Sequence, residues 1–345
     1  MDALKRLLAA LVVIASAGVL RFLLSGHGGG CIASPTDSSA CISRPGLFAV
    51  YYVAVDPLHS QTVYVASTDN PVDKSTDGGA SWRGLYAWKG DYVSGPVVLD
   101  PRTPRNVYVP TSDGVYESPD GGATWVPAGL QGRCGGSAAP FAYLNACAVN
   151  ALAVAPGGRI LYAAVESCLA PDCLYAGPAV FKSTNGGSSW IAVGLASQDV
   201  TSLAVDPRRP ATVYAAADRP VKSTDGGASW QRIGGLPADA SALTIDPHHP
   251  QTVYAASDQG VFTSRDGGLR WRNLGLGGVM DVALSSKAVY AATGSRVFMR
   301  THAGKAWRIV GDSRAAVESI AVSANGRILY AGVDENALYR FRLGR

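Results

Sequence analysis

The chain has few charges and very little glutamate. Charged residues make up 16% of its 345 residues, and the formal net charge is only +4. No basic helix and no zinc-finger spacing is present, which argues against a general nucleic-acid binder. Glutamate occurs four times, so few residues of this type are available to act as a catalytic acid. Beyond the first 30 residues, helical periodicity is also lacking.

What the chain has in abundance is glycine, proline and a repeated nine-residue box. Its 40 glycines and 20 prolines suit many short strands joined by tight turns. The box reads Lys-Ser-Thr-Asp-Gly-Gly-Ala-Ser-Trp at 222–230. Further copies occupy 74–82, 117–125, 182–190 and 263–271, with a worn copy at 299–307. Such self-similarity is the signature of a repeat architecture.

Two further short segments recur ahead of the boxes and complete a repeating unit. We call the equivalent positions in successive repeats a column. The first is an apolar strand with Val53, Val97, Leu152, Leu203, Leu243, Val282 and Ile320. The second is a Val-Tyr strand with Tyr64, Tyr108, Tyr162, Tyr214, Tyr254, Tyr290 and Tyr330. Each unit predicts a four-stranded antiparallel meander that cannot bury both faces alone. Radial stacking buries them, so the predicted fold class is all-β, a single seven-bladed β-propeller.

Within the box each residue type has a predicted structural role. Asp77 is expected to accept hydrogen bonds from backbone N–H groups of the following turn. Gly78 and Gly79 permit the positive φ angles that the turn requires. Trp82 begins the next strand, where its ring can fill the wedge between neighbouring blades.

The pattern Ser75-x-Asp77-x-Gly79-x-x-Trp82 resembles the Asp-box, or BNR, repeat. The resemblance covers roughly residues 47–345, and it implies the propeller fold more specifically than any function. The third copy departs from the family pattern with Asn185 in place of Asp. The sixth, with Arg300 and His302, keeps only Gly304 and Trp307.

The first 30 residues have the layout of an export signal. Lys5 and Arg6 precede an apolar stretch, 7–20, and 15–17 offers a small-x-small cleavage site. The expected organisation is a signal peptide or membrane anchor at 1–30, a linker or closing segment at 31–46, and the propeller at 47–345. Whether the leader is cleaved, retained as a membrane attachment or lipidated at Cys31 stays open. We expect an extracytoplasmic, monomeric protein.

Six cysteines in an exported chain favour structural disulfides. Sequence neighbours pair naturally, giving Cys31 with Cys41, Cys134 with Cys147, and Cys168 with Cys173. Zinc is the weaker alternative, because there is no Cys-x-x-Cys pair and no histidine at ligand spacing. No metal and no cofactor is predicted.

The regular spacing breaks in one place. Successive box tryptophans are 43, 65, 40, 41 and 36 residues apart, so about 25 extra residues lie around the third unit. They form two insertions, 131–148 and 166–178, which a meander places on the face opposite the boxes. Aromatic residues outside the repeat also concentrate in units 1–3. The candidate ligand-binding residues on this face are Trp88, Tyr86, Tyr92, Phe141, Tyr143, Tyr175, Asn150 and Glu166.

Aspartates recur in the loops of the same face, including Asp113, Asp218, Asp258 and Asp334. Turn formation is their expected role. A ring of carboxylates that attracts cations around the channel mouth is the alternative.

Comparison with families that carry similar repeats limits the activities expected of this chain. Sialidases carry Asp-boxes but need an arginine triad and a Tyr–Glu pair, which cannot be assembled here. Xyloglucan-cleaving glycosidases place two catalytic aspartates in the cleft between two propellers, whereas this chain is long enough for only one propeller. Asp91 and Asp281 are two carboxylates of one face that could still form a catalytic pair. Photosystem II assembly factors resemble the chain in length and layout, and sortilin-type receptors use similar repeats to bind peptides. We therefore expect a non-catalytic propeller that binds a protein segment or glycan, with glycoside hydrolysis as the alternative.

Ring closure is the last expectation. The final unit supplies only three strands, so residues 40–50 are predicted to donate the missing outer strand.

Overall fold

The computed structural model describes residues 39–42, 49–67, 72–85, 92–131, 148–165, 179–196, 198–334 and 337–343. Within these ranges, 28 strands form seven four-stranded antiparallel sheets. The sheets are the blades of a β-propeller, which confirms the predicted fold class. The described part of the chain contains no helix long and apolar enough to cross a membrane.

The strands follow one another in chain order, four to a blade. The first three blades use β2 (Val50–Val55), β3 (Val63–Ser67), β4 (Asp73–Ser75), β5 (Arg83–Gly84), β6 (Val98–Leu99), β7 (Val107–Thr111), β8 (Gly114–Ser118), β9 (Val126–Pro127), β10 (Val149–Val154), β11 (Leu161–Val165), β12 (Val180–Ser183) and β13 (Ile191–Ala192). Blades 4 and 5 use β14 (Ser202–Val205), β15 (Val213–Ala216), β16 (Val221–Ser223), β17 (Gln231–Arg232), β18 (Ala242–Ile245), β19 (Val253–Ser257), β20 (Gly260–Ser264) and β21 (Arg272–Asn273). Blades 6 and 7 use β22 (Asp281–Leu284), β23 (Ala288–Thr293), β24 (Arg296–Thr301), β25 (Arg308–Asp312), β26 (Val317–Val322), β27 (Ile328–Val333) and β28 (Ala337–Arg342), together with β1 (Ser39–Ile42).

The two ends of the chain close the ring. Strand β1 pairs antiparallel with β28, with Ala40 opposite Arg340 and Ile42 opposite Leu338. The prediction that an N-terminal segment completes the last blade is confirmed. The described strand is Ser39–Ile42, and Val50, the last residue of the predicted 40–50, belongs instead to β2, the inner strand of blade 1.

The two predicted columns form the core. All seven tyrosines of the second-strand column are at most 5% exposed, and the seven apolar residues of the inner-strand column are also buried. These residues belong to apolar clusters that combine neighbouring blades, such as the cluster joining Tyr64 to Val97 and Val107. Burial of apolar surface between blades therefore stabilises the ring.

The box forms one hydrogen-bonded turn that recurs in blades 1 to 5. In blade 1 the Ser75 hydroxyl donates to Asp77 Oδ1 at 2.8 Å and accepts from Gly79 N at 2.7 Å. Asp77 Oδ1 also accepts from Ser81 N at 2.8 Å, as predicted for this carboxylate. These hydrogen bonds, led by the one from the Ser81 hydroxyl, lower the pKa of Asp77 to about 2. Both glycines have positive φ, 72° and 94°.

The box tryptophans of blades 3, 4 and 6 donate a hydrogen bond to the blade before their own. The indole N–H of Trp190 donates to Ala128 O at 2.7 Å, and that of Trp230 donates to Val193 O at 2.7 Å. Both acceptors directly follow the outer strand of the preceding blade. The rings pack in the same interfaces, which confirms their predicted place between blades.

A second contact points the other way, from the tyrosine column into the following blade. The Tyr214 hydroxyl and Lys222 Nζ both donate to Gly267 O, at 2.9 and 2.7 Å. The equivalent pair in blade 1 is Tyr64 and Lys74, which share Gly121 O. In each pair the ammonium group also lies 5.1 Å from the centre of its tyrosine ring. The box thus serves as a joint between blades as well as a turn.

Candidate functional site

The two long insertions emerge from the same edge of blade 3. Val149, which follows the first insertion, lies directly opposite Val165, which precedes the second. Val165 N also donates to Ala179 O at 2.8 Å, so the second insertion starts and ends at one point. Connections between second and third strands, and between blades, share this side, which we call the insertion face. The boxes lie on the other side, the box face.

Three inner strands carry a β-bulge at the same position, next to this face. The pairing register shifts around Tyr51 in blade 1, Asn150 in blade 3 and Glu318 in blade 7. Each bulged residue stands two positions before the apolar column. Bulges are common beside functional sites because the extra residue re-aims a side chain. Here the bulged residues are an aromatic, an amide and a carboxylate at the mouth of the central channel. We call these three residues, Tyr51, Asn150 and Glu318, the rim.

Hydrogen bonds next to the rim join blades 1, 2 and 3. Tyr52 Oη donates to Ser94 O at 3.3 Å, and Ser94 Oγ donates to Val149 O at 2.9 Å. The segment before β6 extends along the end of β7, with Val93 bridged to Thr111. Tyr92, on this segment, is 63% exposed. An exposed tyrosine therefore sits on a backbone that its neighbours hold in place.

Close packing at Gly95 fits blade 2 against the bulge of blade 3. A Cβ at this position would lie 2.7 Å from Asn150 O and 2.9 Å from Val149 O. Both atoms belong to backbone and cannot move without shifting the bulge. Glycine is thus required here by close approach, and it fixes Asn150 relative to Tyr92.

Tyr51 of the rim and its neighbour Tyr52 stay protonated over the physiological range. Burial, with the nearby carboxylates of Asp334 and Glu318, raises the pKa of Tyr51 to about 12. Burial and Glu318 also raise the pKa of Tyr52. Ionisation would place a phenolate in a poorly hydrated site beside a carboxylate, and both effects oppose it. Tyr51 and Tyr52 therefore retain their hydroxyl protons at neutral pH.

Acidic loops surround the rest of the mouth. Described loops of the insertion face carry six aspartates (Asp113, Asp199, Asp218, Asp239, Asp258 and Asp334) and two arginines (Arg219 and Arg314). Two aspartate pairs occupy equivalent places in blades 4 and 5. Asp199 N donates to Asp218 Oδ1 at 3.4 Å, and Asp258 N donates to Asp239 Oδ2 at 3.1 Å.

These contacts join two loops, because the partners are 19 residues apart in the sequence. The turn-making role expected of the acidic residues would instead use nearby backbone, and it stays a prediction. Burial, then repulsion from Asp218, raises the pKa of Asp199. In the described loops of this face the aspartates outnumber the arginines. Attraction of cations by these carboxylates, the alternative interpretation, stays a prediction. Within the described ranges, no group of three or more His, Cys, Asp or Glu side chains is arranged to hold a metal ion.

Asp281 was named above as a carboxylate for the hydrolase alternative. Both of its carboxylate oxygens accept hydrogen bonds from backbone N–H groups. Its Oδ2 accepts from Ile320 N at 2.8 Å in the next blade, and its Oδ1 accepts from Val282 N at 2.7 Å. Desolvation nevertheless raises its pKa to about 6. Asp281 thus joins blade 6 to blade 7. Its suggested partner, Asp91, lies outside the described residues.

Of the predicted ligand-binding residues, the structure describes Tyr92 and Asn150, and it brings both to the channel mouth between blades 2 and 3. The others lie outside the described residues: Tyr86, Trp88, Phe141, Tyr143, Glu166 and Tyr175. So do all the cysteines except Cys41, whose backbone lies in β1. Sequence reasoning missed Tyr51, Ser94, Gly95 and Glu318 as site residues. The signal for Glu318 was its place two positions before the apolar column, shared with Tyr51 and Asn150.

No protein-family model matches the chain, and no curated protein matches its sequence. Solved structures do match its fold. One, described as YCF48 bound to D1 peptide, has a TM-score of 0.66 and 13% identity, covering 90% of this chain and 99% of its own. YCF48 from Cyanidioschyzon merolae gives 0.61 and 15%, covering 88% and 98%. The WD40 repeats of RRP9 give 0.65 and 14%, covering 89% and 97%. At these identities the likeness establishes a propeller of matching size.

Proposed function

We propose that this chain is a non-catalytic Asp-box propeller that captures a polypeptide segment on its insertion face. The observation that carries the proposal is the rim. Three equivalent bulges present Tyr51, Asn150 and Glu318 at one channel mouth, beside the exposed ring of Tyr92. The exposed ring of Tyr92 supplies contact area at low entropic cost, and the amide and carboxylate supply hydrogen-bond partners.

A polypeptide is favoured over a glycan as the ligand. A propeller of matching size and fold, YCF48, has been solved bound to a D1 peptide. That likeness supports an assembly-factor or scaffold role, without identifying the partner. A glycan ligand is kept as an outcome of the test below.

Charge indicates what the captured segment would carry. The aspartate pairs of blades 4 and 5 lie across the mouth from the aromatic side. A segment with lysine or arginine towards these pairs and an aromatic or aliphatic residue on Tyr92 would complement both sides. We expect its affinity to fall as salt rises, because exposed charges are screened.

The test is selection of peptides from a random phage-displayed library on the full chain. We expect selected peptides to lose about tenfold or more in affinity for Tyr92→Ala, as is typical of an exposed aromatic hot spot. Leu269→Ala, which removes a 79% exposed side chain on the box face, is the matched control and should bind as the wild type does.

Equal binding to both variants, or no enrichment on the wild type, would contradict the proposal. A glycan array tested in parallel would redirect the proposal to carbohydrate if only glycans bind. Turnover of chromogenic glycosides, abolished by one Asp or Glu substitution, would establish the hydrolase alternative.

We also propose that residues 1–30 direct export and that the cysteines form disulfides in the exported protein. The cationic start and apolar stretch of the leader support this placement. Intact mass of the protein recovered outside the cytoplasm would identify the mature N-terminus. Alkylation without reduction should then modify no cysteine. Recovery of the unprocessed chain only in the cytoplasm would refute export.

A further inference from the structure

The box face carries an open, basic cleft between blades 5 and 6. Its volume is about 500 Å³, and it is lined by Arg265, Arg272, Arg300, His302, Gly304 and Lys305, together with Ala303. None of these described lining residues is acidic. The cleft lies on the opposite side of the disc from the rim, so it is independent of the proposed peptide site.

The cleft lies where the joint seen between blades 1 and 2 and between blades 4 and 5 is absent. In blades 1 and 4 a lysine, Lys74 or Lys222, donates to the first box glycine of the next blade. In blade 5 that position is Thr263, whose side chain is too short to reach across. The sixth box also has Arg300 and His302 in place of the serine and the aspartate that close the turn. Arg300 turns instead to Leu274 O of blade 5, at 3.0 Å.

His302 holds the wall of the cleft in place. Its Nε2 lies 3.0 Å from Ser285 O, and its Nδ1 lies 3.1 Å from Tyr254 Oη. A carbonyl oxygen only accepts, so Nε2 carries a proton, and in the neutral ring Nδ1 accepts from the tyrosine hydroxyl. Both ring nitrogens are used in this way, which leaves ligand recognition to the arginines and the lysine.

Those four cations converge without counter-charges. Among the described residues, no carboxylate lies within ion-pair distance of Arg265, Arg272, Arg300 or Lys305, whereas neighbouring Arg270 is paired with Asp266 at 2.9 Å. Like charges gathered in one cleft repel each other unless an anion neutralises them. Guanidinium groups offer planar pairs of N–H donors that match the oxygens of a phosphate or sulfate.

We propose that this cleft binds a tetrahedral oxyanion, a phosphate or sulfate group. A group with three or more accepting oxygens and up to two negative charges uses more of the converging donors than a monocarboxylate does. The volume also falls in the range of small-molecule sites, roughly 300–1,000 Å³. The boxes of blades 5 and 6 are then a ligand site as well as turns.

Calorimetric titration of the full chain with inorganic phosphate, sulfate and acetate tests the assignment. We expect saturable binding of phosphate or sulfate, and acetate binding at least about tenfold weaker, since charge-assisted donors favour the more highly charged anion. Arg272→Gln should weaken oxyanion binding about tenfold, the effect of losing one charged hydrogen-bond donor. Arg83→Gln is the matched control, because Arg83 follows its box tryptophan just as Arg272 does and lies in blade 1.

Lys305→Gln serves as a second variant, and a melting curve for each variant checks that the fold is kept. Absence of oxyanion binding by the wild type would overturn the proposal, as would equal losses in Arg272→Gln and Arg83→Gln. Acetate binding as tightly as phosphate would also overturn the tetrahedral assignment. Glycerol 3-phosphate and vesicles containing phosphatidic acid then distinguish a soluble ester from a lipid head group, and preferential binding of either would support the oxyanion site.

Discussion

At the scale of single residues, the buried serine of each box in blades 1 to 5 holds the turn together through its hydroxyl group. Ser223 is 1% exposed, donates to Asp225 at 2.8 Å and accepts from Gly227 N at 2.8 Å. Its hydroxyl therefore satisfies a backbone N–H in the interior of the turn. The same arrangement in blades 1 to 5 explains why this residue is repeated along the chain.

Ser223→Ala should lower the free energy of unfolding by about 1–3 kcal/mol, because it leaves Gly227 N without its acceptor. Urea unfolding measures the change. Thr224→Ala, at the exposed neighbouring position of the same box, should change stability by less than about 0.5 kcal/mol. Equal effects of the two substitutions would show that the buried hydroxyl contributes nothing particular.

Asp281 gives the pH dependence a definite sign. Its pKa is raised to about 6 in the folded protein, from an ordinary value of 3.8. Between these values the folded state binds more protons than the unfolded state, so stability falls as pH rises.

The free energy of unfolding of the wild type, minus that of Asp281→Asn, should therefore decrease by up to ~2–3 kcal/mol between about pH 4 and pH 7. Denaturant titrations of both proteins at several pH values measure this difference. A difference that is constant with pH, or that increases, would mean that the carboxyl is not raised in pKa.

At the scale of elements, the inner strands differ although the boxes are alike. Strands β2, β10 and β26 are six residues long and bulged, whereas β14, β18 and β22 have four residues. The longer strands reach the channel mouth and carry the rim. Gly95 lets blade 2 approach the bulge of β10 closely.

Gly95→Ala should lower the free energy of unfolding by about 1–3 kcal/mol, because the added methyl group would overlap backbone atoms of blade 3 that cannot move away. Gly234→Ala is the control, since a Cβ there has no atom within 4 Å and its φ is not positive. Thermal unfolding compares the two. If Gly95→Ala were as stable as Gly234→Ala, the close contact between blades 2 and 3 would be refuted.

At the scale of the whole molecule, stability depends on a closed ring. Strand β1 supplies the outer edge of blade 7, so the first and last segments of the chain share one sheet. Blades 7 and 1 are also joined by Arg340, which donates to Gly78 O at 2.9 Å.

A chain that begins at residue 44 should be less stable than one that begins at residue 38 by about 2–4 kcal/mol, for four lost residue pairs at a net 0.5–1 kcal/mol each. Both truncations lack the leader, so only the β1 strand separates them. Differential scanning calorimetry gives the comparison. Equal melting temperatures would show that the pairing of β1 does not hold the ring closed.

Much of the fold could be read from the sequence, because the repeating turn is made by residues within nine positions of each other. Ser75, Asp77 and Gly79 find their partners locally, so the same letters give the same turn wherever they recur. Periodicity then counts the blades, and the three strands of the last unit indicate an N-terminal closing strand. Less of the site could be predicted. Tyr92 and Asn150 were identified, yet their arrangement depends on Ser94 and Gly95, whose partners lie about 55 residues away.

By itself, then, the sequence determined the blade number, the turn chemistry and the closure of the ring, since each follows from local hydrogen bonding repeated at a fixed period. Only the tertiary structure decided which inner strands bulge, how Asp281 is used, and where unpaired cations gather. Those features arise where neighbouring blades meet, and the packing across that interface, rather than any short stretch of chain, sets which side chains approach each other.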